Sequence, residues 1–167
     1  MPTPPVESDE LLYRQVEPHR GSPIYYDPER RPPIHAQLFC PSSADVDGLS
    51  LLRARFRSEV WSGYRPEKDD ARFCVVRLEY MEIINCALAA GFTDFPLAPS
   101  PDALDVRHGE PWAHCVASAV NRMEYDSSKD AKMKIRSWAK QLELLIVEEH
   151  VCGPFHKPTD ADPYRPE

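Results

Sequence analysis

IHAQLFCPSSADVDGLSLLRARFRSEVWSGY, residues 34–64, holds in one run the kinds of segment from which the whole chain is assembled. Ile34, Ala36 and Leu38 alternate with His35, Gln37 and Phe39. That two-residue period predicts a strand over 34–39. CPSSADVDG then supplies turn formers, and 49–52 is either a short strand or the first turn of a helix. Phe56, Val60, Trp61 and Tyr64 recur at helical spacing, so 54–64 reads as a helix.

Upstream, LLYRQV at 11–16 is a strand with Leu12, Arg14 and Val16 on one face and Leu11, Tyr13 and Gln15 on the other. An arginine between two aliphatics must find a partner if its face is buried. Residues 17–33, with PHRGSP and DPERRPP, form a long turn-rich loop, and the proline-rich residues 1–9 read as a disordered tail.

Downstream, RFCVVRL at 72–78 is β-branched and predicts a strand. It leads into a helix over 79–90 striped by Ile83, Ile84, Ala87 and Leu88, with Gly91 as its left-handed cap. Residues 92–111 form a proline-broken connection, and WAHCVASA at 112–119 is a further strand. Asp126, Ser127 or Ser128 then caps a long helix. Its buried face is Ala131, Ile135, Trp138, Ala139, Leu142, Leu145 and Ile146, with Lys129, Lys132, Arg136, Lys140 and Glu143 turned away. The helix stops near 150–154, and 157–167 read as a second disordered tail. These elements predict a single α+β domain over 10–156: a small mixed or antiparallel sheet with the long C-terminal amphipathic helix packed on one face.

Composition limits the function. Hydrophobic residues at 42% and charged residues at 28% place the chain among soluble globular proteins. A net charge of −7 opposes sequence-independent nucleic-acid binding and a polybasic membrane anchor. No signal peptide and no spanning apolar run stands out. The five cysteines, Cys40, Cys74, Cys86, Cys115 and Cys152, are irregularly spaced with no CxxC pair, which suits reduced thiols in a cytoplasmic protein.

Four constellations carry possible chemistry. Arg14, His35, Ser50 and Glu59 form the first. Tyr13-Arg14 resembles the opening strand of small NAD-using ADP-ribosyltransferase-like domains. That resemblance implies Arg14 gripping the dinucleotide with Ser50 and Glu59 assisting; NAD is the cofactor of this reading alone. The alternative is that Arg14 pairs with a buried carboxylate and Ser50 caps a helix. His150, Cys152 and His156 are the second, a metal set if His108, His114 or Cys115 supplies a fourth ligand. A turn at Gly153-Pro154 accounts for the same composition without a metal. The third is a cysteine nucleophile, Cys40 or Cys115, with His35 or His114. His114 and Cys115, adjacent on a strand, point to opposite faces and cannot pair with each other. Lys129, Lys132, Lys134, Arg136 and Lys140 are the fourth, a dense basic patch that either docks an acidic partner or nucleic acid, or is simply solvated. Trp61, Tyr64, Trp112 and Trp138 read as core.

LLYRQVEP, then FCPSSADVDGLS, then a helix bearing Trp and Tyr, resembles a family of small bacterial proteins without a settled activity. The likeness spans about residues 11–116, implies a bacterial cytoplasmic origin and carries over no catalytic residue. The expected function is an accessory or protein-interaction module with a protein partner and no cofactor. The alternatives are a small NAD-consuming enzyme and a metal-stabilised binding domain.

Overall fold

In a computed structural model, residues 4–16, 27, 29–57, 59, 62, 73–100 and 113–155 are described. The fold is α+β, built on a six-stranded sheet. Its strands are β1 (Leu11–Val16), β2 (Leu49–Arg53), β3 (Phe73–Glu79), β4 (Leu97–Pro99), β5 (His114–Ala117) and β6 (Val151–Phe155). They lie in the order β4-β5-β2-β1-β3-β6, and every pairing is antiparallel. Three helices are described, α1 (Tyr80–Ala89), α2 (Arg122–Ser127) and α3 (Lys129–Leu145).

The two faces of the sheet differ in what they bury. Leu12, Val16, Leu49, Leu51, Cys74, Val76, Leu78, Cys115 and Ala117 point to one side and join Ile83, Ile135, Trp138, Ala139 and Leu142 from α1 and α3. This is the main core. Each fully buried aliphatic here contributes about 1.5–3 kcal/mol. A one-residue slip of β1 would move Leu12 and Val16 out of that core, so the alternation fixes the register. On the other side Tyr13, Leu52 and Val75 form a smaller cluster, with Ala54 and Cys152 against it.

α3 begins where Ser128 Oγ accepts the Ala131 N–H at 3.2 Å, a Ser N-cap. Trp138 is the largest side chain in the core; its indole N–H donates to the Ile83 carbonyl at 3.2 Å, tying α3 to α1. Phe95 and Phe39 stack against it, with ring centroids 5.1 and 6.2 Å away. Gly91 has φ 98°, the left-handed cap expected after α1.

Several expectations are corrected. Residues 34–39 contain no strand: Ala36–Phe39 is a 3-10 turn, begun by His35 Nδ1 accepting the Gln37 N–H at 3.0 Å. The apparent alternation fails because Leu38 and Phe39, neighbours in sequence, are both buried. Glu143 does not face solvent. It is 2% exposed, and its carboxylate accepts the Ala36 N–H at 2.5 Å, satisfying the start of that turn. In α1, Cys86 is buried while Leu88 is 59% exposed, so the buried stripe is rotated from the expected one.

Two edge strands emerge from segments read as irregular. β4 carries Pro99 and β6 carries Pro154, both on sheet edges where a missing donor is tolerated. Gly153, expected in a turn, lies within β6 at φ 111°, where the pairing with β3 shifts register. The short helix α2, unforeseen, is capped by Asn121 Oδ1 accepting the Glu124 N–H at 2.9 Å. At 49–52 the strand alternative holds.

Part of the expected N-terminal tail is built in, since the Pro4 and Pro5 carbonyls accept from Arg53 at 2.8 and 2.7 Å. Of the helix expected at 54–64, Glu59 and Ser62 have helical backbone, while 54–57 is a turn. Val60, Trp61, Tyr64 and Trp112 lie outside the described residues, as do His108, His156 and most of the 17–33 loop. Among the described residues no helix is long and apolar enough to cross a membrane.

Candidate functional site

Strand alternation divides the first constellation between the two faces of the sheet. Arg14 shares a face with Leu12 and Val16, pointing toward the helices. Its guanidinium donates to the Leu38 carbonyl at 3.0 Å and to the Ser50 carbonyl at 2.9 Å, pinning the 3-10 turn to β2. Both of these partners are backbone oxygens. Ser50 belongs to β2 and caps no helix; its side chain projects to the opposite, outer face. Glu59 is also reached from that outer face, through Tyr13 and Cys152. His35 is exposed and spends Nδ1 on the turn. Arg14 therefore lies on the helix-facing side of the sheet, and Ser50 and Glu59 on the other.

The outer face has polar chemistry of its own. The Tyr13 hydroxyl and the Cys152 thiol both lie near the Glu59 carboxylate. Burial, and then the charge of Glu59, push the Tyr13 hydroxyl up to about 12. The same two causes push the Cys152 thiol up to about 11. On the neighbouring strand pair, Ser50 Oγ is hydrogen-bonded to His114 Nε2. His114 Nδ1 lies 2.9 Å from the Ser100 carbonyl oxygen.

The cysteines are not set up as nucleophiles. Cys40, read as an exposed candidate, is buried, and desolvation raises its thiol even with Arg136 nearby. Cys115 is wholly buried and pushed up to about 12 by burial. A thiolate is the reactive form, so both shifts oppose attack.

His150 and Cys152 do not share a site. His150 Nδ1 accepts the Val147 N–H at 3.2 Å, and Nε2 approaches Glu82 Oε2 at 3.3 Å without hydrogen-bond alignment. Cys152 belongs to the outer face. Among the described residues no group of three His, Cys, Asp or Glu side chains is arranged to hold a metal ion.

The basic patch acquires a centre. α2 and α3 meet at Ser128, and Tyr125 of α2 packs against α3 with 8% exposure. Three cations surround its ring: Arg122 at 5.6 Å, Lys132 at 5.0 Å and Arg136 at 5.9 Å from the centroid. Arg136 Nε also donates to the Tyr125 hydroxyl at 3.2 Å. Arg122 pairs with Asp126 at 2.8 Å, Lys134 with Asp130 at 3.2 Å and Lys140 with Glu143 at 2.6 Å. Among the described residues Lys132 and Arg136 have no carboxylate partner, and they stand one turn apart on α3. Arg122 and Tyr125 were missed in the sequence reading. An Asn cap followed by an i,i+4 Arg–Asp pair at 121–126 was the signal for the helix that carries them.

The chain matches no protein-family model, and comparisons with curated proteins and with solved structures find no match either.

Proposed function

We propose that the protein is an accessory interaction module of the bacterial cytoplasm that docks an acidic segment of a protein partner on its α2–α3 face. The observation that carries this reading is the gathering of Arg122, Lys132 and Arg136 about one tyrosine ring, two of them without a carboxylate among the described residues. The ring attracts each cation by its quadrupole, worth about 0.5–1 kcal/mol at an exposed site. The cations still repel one another, and an external carboxylate relieves that repulsion. The chain carries −7 overall, so an acidic peptide is repelled elsewhere and concentrates at this face.

Exposed ion pairs are worth about 0–1 kcal/mol each, so docking is weak and salt-sensitive. Fluorescence anisotropy with a labelled oligoglutamate peptide tests it. Saturable binding at low salt, weakened by added salt and lost in Lys132→Ala/Arg136→Ala, is the expected result. Unchanged binding by the double variant, or equal affinity for a single-stranded oligonucleotide, would overturn the reading.

A further inference from the structure

The docking face leaves the outer face of the sheet unused, and Ser50 and His114 meet there. In the β2–β5 ladder Ser50 opposes Val116 and Leu52 opposes His114. Ser50 and His114 are therefore diagonal neighbours on one face, within reach of each other's side chains. The polarity of the contact between Ser50 Oγ and His114 Nε2 is set by the protonation of the ring. His114 Nδ1 lies 2.9 Å from the Ser100 carbonyl oxygen, which can only accept, so Nδ1 carries the ring hydrogen. When the ring is neutral, Nε2 presents its lone pair and the Ser50 hydroxyl donates to it. The backbone holds this tautomer in place: the Ser100 N–H donates to the His114 carbonyl at 2.9 Å, so the same two residues are joined twice. Both Ser50 and His114 are half-buried and retain access to solvent.

We propose that Ser50 is a nucleophile and His114 its general base, acting on short-chain carboxylic esters. Val116, opposite Ser50, and Leu52, two residues along β2, are apolar, which suits an uncharged acyl group. Ser50 Oγ attacks the ester carbonyl carbon as its proton passes to His114 Nε2. The tetrahedral adduct collapses, the bond to the alkoxy oxygen breaks, and the departing alcohol takes that proton. Water then gives a proton to Nε2 and its oxygen attacks the acyl carbon. Ser50 leaves with the returned proton and the acid is released. The Ser100 carbonyl positions the ring by fixing which nitrogen faces Ser50.

The test uses the full chain, a fluorophosphonate probe with peptide mapping, and p-nitrophenyl acetate turnover. Covalent modification at Ser50 and an acyl burst are expected in the native protein, with both absent in Ser50→Ala. His114→Asn keeps an amide able to donate to the Ser100 carbonyl but removes the base. Its labelling rate is expected to fall about 100-fold or more, the scale of general-base assistance, while circular dichroism stays native. Absence of Ser50 labelling in the folded native chain overturns the proposal. Equal labelling in His114→Asn overturns the role of the histidine.

Discussion

Arg53 and Glu10 form a two-point ion pair inside the protein: Nε to Oε2 at 2.9 Å and one terminal nitrogen to Oε1 at 2.5 Å. Arg53 is fully buried, at the end of β2 where β1 begins. Two further donors reach the Pro4 and Pro5 carbonyls, so one guanidinium fastens the N-terminal segment to the sheet. Removing one member of such a pair strands a desolvated charge, at a cost of about 3–5 kcal/mol. Glu10→Ala is expected to lose that much in urea denaturation. A double replacement, Glu10→Met with Arg53→Leu, is expected to lose less than Glu10→Ala alone, because no charge is left behind.

Acid should loosen the fold through two carboxylates. Burial works to raise the Glu143 carboxyl, but the Lys140 hydrogen bond, the Ala36 N–H and the charges of Lys140 and Arg30 outweigh it and hold it below the ordinary value of 4.5. At Glu10, burial is likewise outweighed, chiefly by the Arg53 hydrogen bond. A depressed folded-state value means the stabilisation is fully present above the unfolded-state value and disappears as pH falls through the folded one. Stability measured by denaturant titration is therefore expected to be level from pH 7 down to about 5 and to fall below the ordinary carboxyl value of 4.5. Glu143→Gln is expected to flatten that decline.

Gly48 precedes β2 at φ 146°, and a Cβ there would stand 2.5 Å from the Ala117 carbonyl oxygen. The obstacle is backbone of the neighbouring strand β5, which cannot rotate away. Gly48→Ala is expected to cost at least about 1–3 kcal/mol, the scale of a strained backbone residue. A thermal melt compared with Gly91→Ala separates contact from conformation. At Gly91 the nearest obstacle is the far end of the Lys134 side chain at 3.7 Å, so only the φ of 98° is penalised.

Trp138→Phe keeps an aromatic ring among Phe39 and Phe95 but removes the donor to the Ile83 carbonyl. An unsatisfied buried acceptor and a smaller ring together are expected to cost about 1–3 kcal/mol. Equilibrium unfolding followed by circular dichroism measures this directly.

How much of this was legible depended on the range of the forces involved. β3 and α3 were readable because β-branched content and a long 3.6-residue stripe are local signals, each repeated along its element. β4 and β6 were not, because three residues of LAP and five of VCGPF become strands only by pairing with β5 and β3. Glu143 looked like a surface residue because its partner, the Ala36 amide, lies 107 residues away. Ser50 and His114 were each visible as reactive types, yet their meeting depends on a ladder between residues 64 apart. Arg14 was singled out as a side chain that must be satisfied, but two of the oxygens it bonds belong to a 3-10 turn and to an interior strand, and no sequence period marks them.

The central claim is that acidic segments dock around Tyr125, and photo-crosslinking with an oligoglutamate peptide bearing a terminal diazirine tests it most directly. The account predicts crosslinks confined to residues 122–140, suppressed by salt and lost in Lys132→Ala/Arg136→Ala. Crosslinks concentrated elsewhere on the surface, or unchanged in that variant, would contradict it.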